Sequence, residues 1–210
     1  MEVLLGNYEI LLVIIKKNNK NIYFRFKDDG ILYVTCNRFV SEKEVRRLIL
    51  SNEKALLKMY EKSMTKQEKY LQYYYLGKPF TKVFDESIKK VIIEDDMIYV
   101  KDEKMLAKWE KNECIRVFSE RINGLLSLFD NIPKFSLKVR NMKTRWGVNN
   151  VTKRIVTLNS ELLKKDVELI DYVIVHELCH FYEANHSSRF WEQVVLRYPK
   201  YKEARKELRS

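Results

Sequence analysis

The spacing of apolar positions along the chain changes several times, and each change marks an element. Tyr8–Lys17 is a nearly continuous apolar, β-branched run closed by Asn18-Asn19, the pattern of a strand and a turn. Residues 22–27 alternate with period two, which puts Ile22, Phe24 and Phe26 on one face. Asp28-Asp29-Gly30 then signals a hairpin, because glycine tolerates positive φ, and residues 31–36 form the returning strand. From Ser41 the spacing turns helical. Ser41 is the N-cap of a capping box with Glu44, and Val45, Leu48, Ile49, Leu56, Met59 and Tyr60 predict one long helix that fades near Tyr73 and is broken by Gly77 and Pro79. A second strand group covers residues 80–101, with a hairpin over residues 91–100. Leu106, Trp109, Phe118, Ile122, Leu125, Leu126 and Phe129 predict a helix over residues 103–130, ended by Asn131-Ile132-Pro133. Residues 134–140 alternate again, with Phe135, Leu137 and Val139 inward and Lys134, Lys138 and Arg140 outward, and residues 154–158 form a second strand across a loop. Asp166 is placed to cap a helix over residues 167–183, and Ser187 or Ser188 a short helix that Pro199 stops. The pattern predicts an α+β fold: a β-hairpin-rich region with a long helix over residues 1–100, then a second part over residues 101–210.

Composition narrows the class. In 210 residues, 46% hydrophobic and 33% charged with 5 Gly and 3 Pro, the chain is neither disordered nor fibrous. Cys36, Cys114 and Cys179 stand far apart with no CxxC pair, which excludes a disulfide scaffold and a cysteine-rich zinc ribbon and suits a reducing compartment. The longest clean apolar run, residues 10–15, falls far short of the ~20 residues of a membrane span. The N-terminus lacks a basic n-region and a long apolar h-region, so the expectation is a cytoplasmic protein with no membrane partner. The balance of 40 basic and 29 acidic residues gives +11, and residues 133–154 hold seven basic side chains and no acid. Such a stretch favours an anionic partner, or is simply a solvated face of a lysine-rich protein.

The chemistry concentrates in eleven residues. All 3 histidines of the chain, His176, His180 and His186, lie there, and Glu177 follows the first. His176 and His180 are i and i+4 on the predicted helix, so both imidazoles project from one face, one turn apart. A chain reversal after the helix, with Asn185 or less readily Glu183 supplying the turn, brings His186 to a third vertex. Three neutral imidazoles leave one position of a Zn²⁺ ion open to water, the arrangement of a catalytic site rather than a closed structural one. The metal lowers the pKa of that water toward ~7, and the Glu177 carboxylate takes the proton during attack and hands it to the leaving group. HExxH alone recurs by chance; here it sits in an apolar helix beside Leu169, Ile170, Val173 and Ile174, and a third histidine and a capped helix follow. Cys179 falls on another face and reads as a packed thiol.

Four segments carry a resemblance: Lys143-Thr144-Arg145-Trp146-Gly147; residues 155–162; residues 171–180, which hold the HExxH; and Asn185-His186-Ser187-Ser188-Arg189-Phe190-Trp191. In order and spacing they resemble the YgjP-like metallopeptidase family, a zincin-type group similar to SprT-like and WLM domains. The resemblance implies a zincin-like core over residues 101–210, with a sheet packed on the HExxH helix. It also implies zinc held by His176, His180 and His186, with Glu177 as general base. Val148-Asn149 stand where the family continues with Ser-Cys. The ligand spacing equals that of metzincins, but Glu183 occupies their Gly position and no Met follows Met142, so the chain is not a metzincin proper. Arg145 and Arg189 are candidate substrate-binding residues, able to stabilise a developing oxyanion if they face the metal. Trp146 and Trp191 read as core packing, and Asn159, Tyr172 and Tyr182 have no role that the sequence fixes.

The leading expectation is a zinc peptidase, with an extended peptide along an exposed strand edge at residues 154–158. Hydrolysis of phosphoanhydrides such as nucleoside triphosphates is the alternative, motivated by the basic stretch and opposed by the absence of a P-loop or acidic metal cluster. A nucleic-acid-associated protease making non-specific backbone contacts is compatible with +11. A non-enzymatic fold is disfavoured by the intact Glu177.

Overall fold

The computed structural model describes residues 1–209. They group into two compact units, one of Met1–Leu71 and one beginning at Gln72. The division expected near residue 100 therefore falls inside the second unit. The reason is packing: Tyr73, Ile98, Val100 and Leu106 form one buried cluster with Tyr75, Phe80, Val91 and Trp109 around it, so the second strand group closes against the helix that follows it.

In the first unit, strands β1 (Glu2–Leu5), β2 (Tyr8–Lys17), β3 (Tyr23–Phe26) and β4 (Leu32–Asn37) form a sheet in the order β1-β2-β4-β3. The β3–β4 hairpin pairs Tyr23 with Thr35 and Phe26 with Leu32, and Ile22, Phe24 and Phe26 line the core side as their alternation predicts. Strand β1 is too short to show a period and is not legible in the pattern. Ser41 caps α1 (Glu42–Ser51) by accepting a hydrogen bond from the Glu44 amide at 3.1 Å. The single long helix expected here is two: Asn52 ends α1, its amide side chain donating to the Leu48 carbonyl at 2.8 Å, and α2 (Glu53–Leu71) begins at once.

The second unit opens with β5 (Gln72–Tyr75), β6 (Lys78–Phe84), β7 (Ile92–Glu94) and β8 (Met97–Val100), ordered β5-β6-β8-β7. Asp102 caps α3 (Glu103–Leu125). A second sheet follows, of β9 (Ser136–Arg140), β10 (Gly147–Asn150) and β11 (Ile155–Asn159), in the order β10-β11-β9. Strand β11 runs parallel to β9 and antiparallel to β10, so it is the middle strand. The peptide-binding edge expected at residues 154–158 is thus paired on both sides; the free edge beside α4 belongs to β10, a segment expected to be loop.

Helix α4 (Val167–Cys179) packs on this sheet, with α5 (Ser188–Arg197) and α6 (Tyr201–Glu207) beyond it. The core joins Val156 and Leu158 of β11, Phe118 and Ile122 of α3, Leu169, Ile170, Ile174, Val175 and Leu178 of α4, and Phe190 of α5. Arg121 of α3 grips Asp171 of α4 through two nitrogens, one at 2.8 Å, and fixes the two helices in register. Asp166 precedes α4 but makes no side-chain cap. Its carboxylate lies instead against the β5–β6 turn at Gly77, where a Cβ would come within 1.7 Å of Oδ1 and where φ is +80°, so only glycine fits. The helix also stops short of residue 183, with His180 as its C-cap. Among the described residues, no helix is long and apolar enough to cross a membrane.

Candidate metal centre

Helix α4 is buried on most sides because its apolar residues nearly encircle it, and that burial carries His176 and Glu177 into the interior at its last turn. His176 is half-buried, His180 sits one turn on at the C-cap, and His186 arrives exposed from the loop before α5. One ring nitrogen from each of the three falls within 4.8 Å of the others. The Nε2 atoms of His176 and His186 stand 2.9 Å apart. A tetrahedral cation with bonds of about 2.0–2.1 Å needs nitrogens about 3.3 Å apart, so the His176–His186 pair has to open slightly and the whole group to draw together from its 4.8 Å limit to hold one. His180 Nδ1 meets the Glu183 carbonyl at 3.1 Å, which places the proton on Nδ1 and leaves Nε2 as the ligand atom. The donor set, three imidazoles with no carboxylate or thiolate among them, suits a borderline transition metal.

The loop between His180 and His186 reverses without the device expected of it. Neither Glu183 nor Asn185 takes a positive φ. The Glu183 carbonyl bonded to His180, and amides of residues 181–183 bonded back to Leu178 and Cys179, wind the chain past the helix end. Ser187 then caps α5 on the Phe190 amide at 3.4 Å, which drives the Phe190 ring under the site. Its centroid lies 4.8, 4.6 and 4.8 Å from those of His176, His180 and His186. Trp191 stacks on His186 at 5.8 Å and on Tyr201 of α6 at 5.2 Å. Burial and the two neighbouring histidines hold the His176 imidazole neutral, its pKa lowered to about 3, and burial lowers His180 also. Neutral rings are the form a cation requires.

Glu177 is only 5% exposed. Burial raises its carboxyl to about 8, against the opposing pull of a hydrogen bond from Asn149 and of the Arg145 charge. Its seat is made by β10. A Cβ at Gly147 would lie 2.7 Å from both Cγ and Oε1 of Glu177, so the strand backbone itself forms the wall against the carboxylate. Two residues on, the Asn149 amide donates to the Glu177 carbonyl at 2.8 Å and ties β10 to the end of α4. Gly147 closes the Lys143–Gly147 segment that carries the resemblance and Asn149 lies just past it, but nothing in the residue types themselves points to a partnership with Glu177.

A cleft of about 330 Å³ opens onto this carboxylate, with Arg145, Tyr172, His176, Glu177, Arg205 and Arg209 in its walls. Arg145, a candidate substrate-binding residue, is thus in the cleft walls. Arg189 is exposed on the first turn of α5 and is not in the cleft walls. Arg205 and Arg209, from the C-terminal segment, line the cleft instead; nothing in the sequence pattern singles them out. Tyr172 reaches the cleft beside His176, whereas the Tyr182 hydroxyl is spent on the Asp130 carbonyl. Cys179 is fully buried in the core, as its helix face indicates, and Trp146 and Trp191 pack against the same core.

A helix that presents two histidines and an intervening glutamate, a third histidine returned by the next loop, and a sheet edge against the glutamate define a protein of the metal-dependent hydrolase class. The sequence matches the YgjP-like metallopeptidase domain family over residues 20–210, and the chain belongs to that family. The solved structures that align with part of it include two metallopeptidase zymogens. The metallopeptidase zymogen abylysin of Pyrococcus abyssi aligns with 43% of this chain and 90% of its own at 21% identity and a TM-score of 0.41. The zymogen jannalysin of Methanocaldococcus jannaschii aligns with 43% and 92% at 24% identity and a TM-score of 0.39. No curated protein sequence matches the chain.

Proposed function

We propose that the chain is a zinc-dependent peptidase in which His176, His180 and His186 hold the ion and Glu177 is the general base. The observation that carries this reading is the meeting of three imidazole nitrogens within 4.8 Å next to a buried carboxylate that faces a cleft. Zinc, when bound, supplies a Lewis acid that polarises a peptide carbonyl and lowers the pKa of water. Glu177 Oε1, pressed against Gly147, takes the proton of the attacking water and releases it to the departing amine. Burial raises its carboxyl to about 8, near the working pH, where a general base both accepts and returns a proton. The peptide backbone adds to the free edge of β10, which passes Glu177 at Gly147. Arg145 and Tyr172, in the same walls, face charge that develops on the carbonyl oxygen.

The test is metal content and cleavage measured together. The purified chain binds close to one equivalent of zinc and cleaves a casein-derived peptide mixture. Glu177→Gln keeps the zinc and loses about 10²–10⁴-fold in rate. Absence of bound zinc even after its addition ends this reading.

One observation favours a second reading, hydrolysis of phosphoanhydrides: Arg145, Arg205 and Arg209 all line the cleft, and guanidinium groups stabilise transferring phosphoryl charge. Nucleoside triphosphates assayed in parallel with peptides separate the two, the substrate class being the one whose turnover needs both zinc and Glu177.

A further inference from the structure

A larger cavity, about 670 Å³, lies against the histidine cleft and shares Thr144, Arg145, Trp146 and Leu208 with it as a common wall. Lys143, Arg145, Lys164 and Lys165 line it. The one carboxylate in its lining, Glu161, is already engaged by the Asn141 amide and the Lys164 ammonium, both at 3.0 Å. Among the described residues, no carboxylate pairs with Lys143, Arg145 or Lys165. Four cations thus line the cavity against one carboxylate that is already engaged, which leaves a positive local potential over a concave surface.

The backbone that presents two of them is fixed. Asn159, 3% exposed, donates from Nδ2 to the carbonyls of Met142 at 2.7 Å and Arg145 at 2.8 Å, and its Oδ1 accepts from the Met142 amide at 3.2 Å. A single buried side chain therefore pins both ends of the segment that bears Lys143 and Arg145. The Trp146 indole N–H closes the other side on the Leu208 carbonyl at 2.9 Å, and the Lys165 ammonium lies over its ring at 5.6 Å. Tyr74 and Met142 give the cavity apolar wall enough for the methylenes of a short acidic side chain.

We propose that this cavity is a substrate subsite for a carboxylate side chain, so that the chain acts on peptides carrying Asp or Glu close to the cleaved bond. The inference rests on the peptidase reading above for the word substrate; the anion subsite itself rests on the cavity. Two ionised partners make stronger hydrogen bonds than neutral ones, and Lys143 and Lys165 of the lining supply them.

Binding is measured apart from cleavage. The full chain carrying Glu177→Gln is titrated with fluorescent peptides that differ only by Glu or Gln at successive positions. At one position the Glu peptide binds about tenfold tighter at low salt, and the advantage shrinks as salt rises. Lys143→Gln with Lys165→Gln brings the ratio toward one, while Lys143→Arg with Lys165→Arg keeps it; melting temperature and zinc stoichiometry report the folding of both. Equal affinity for Glu and Gln peptides at every position overturns the proposal. Inorganic tripolyphosphate that binds through the same lysines where no acidic peptide does overturns it in favour of phosphate recognition. Peptides cut by the zinc-loaded chain without acidic preference leave the peptidase reading standing and this inference fallen. An acidic peptide bound through these lysines but never cut supports the anion subsite and overturns the peptidase reading.

Discussion

At Gly147 the missing side chain is the functional feature. The Glu177 side chain fills the space that a methyl group on Gly147 would claim, 2.7 Å from its Cγ and Oε1, and both partners are held by regular structure, β10 and α4. Gly147→Ala therefore displaces the carboxylate rather than the strand. The expected outcome is a loss of about 10²-fold in kcat with zinc content intact, since a displacement of about 1 Å is worth that much, and overpacking costs about 1–3 kcal/mol in stability. Parallel metal analysis, thermal melting and steady-state kinetics check it; unchanged kcat removes Gly147 from the account. The histidines show how unevenly such detail reads from sequence. Spacing of four on a helix fixes the relation of His176 to His180 through local geometry alone. The partnership of Gly147 with Glu177 spans thirty positions and exists only once β10 has paired with β11. Arg189, adjacent to the motif in sequence, stands outside the cleft, while Arg205 and Arg209 reach it from the last helix and its end.

Helices α4 and α5 frame the candidate metal centre, and Phe190 is their joint. It is fully buried with its ring against all three imidazoles, so its removal opens a cavity directly under the ligands. Phe190→Ala is expected to cost about 3–5 kcal/mol and to weaken zinc affinity by about 10–100-fold, as loss of a supporting contact does. A competition titration against a chelator measures the second effect; full affinity in a destabilised protein would show that the histidine loop holds itself. Further along, α3 carries a titratable support. The Arg116 guanidinium beside Glu113 holds that carboxyl below its ordinary value of 4.5, and the Tyr75 hydroxyl donates to the same carboxylate at 2.6 Å. A depressed folded-state pKa gives stability that is complete above 4.5 and disappears as pH falls through the lower folded value. Glu113→Gln should thus lower the melting temperature at neutral pH and leave it unchanged in acid, where the wild-type group is protonated too. The elements themselves are largely legible in the sequence, because amphipathic periods and caps such as Ser41 and Ser187 are local. Strand β10 is not: Gly147-Val148-Asn149-Asn150 has no alternation, and only the pairing of Gly147 with Leu158 through Asn150 with Ile155 makes it a strand.

Among the described residues the molecule buries three apolar clusters, and the smaller one around Tyr73 and Ile98 lies in the second unit. Leu5, Ile10, Leu32, Val45 and Ile49 close the first unit, and the cluster centred on Phe118, Ile174 and Phe190 closes the second. Every residue of the candidate metal centre and of both cavities belongs to the second unit. The break is hard to see in the sequence because no glycine- or proline-rich linker marks it; α2 ends at Leu71 and β5 starts at Gln72. A ligand that binds only the folded state stabilises it by RT ln(1 + [L]/Kd), about 2.7 kcal/mol at a hundredfold excess over Kd. For a domain of this size that is on the order of 10 °C in melting temperature. The fragment of residues 72–210 is expected to fold alone, take up zinc, and melt about that much lower once a chelator strips it. The fragment of residues 1–71 should show no response to either. If the longer fragment binds zinc only when joined to the first unit, the second core is not sufficient to position the three histidines, and the division of labour inferred from packing is wrong.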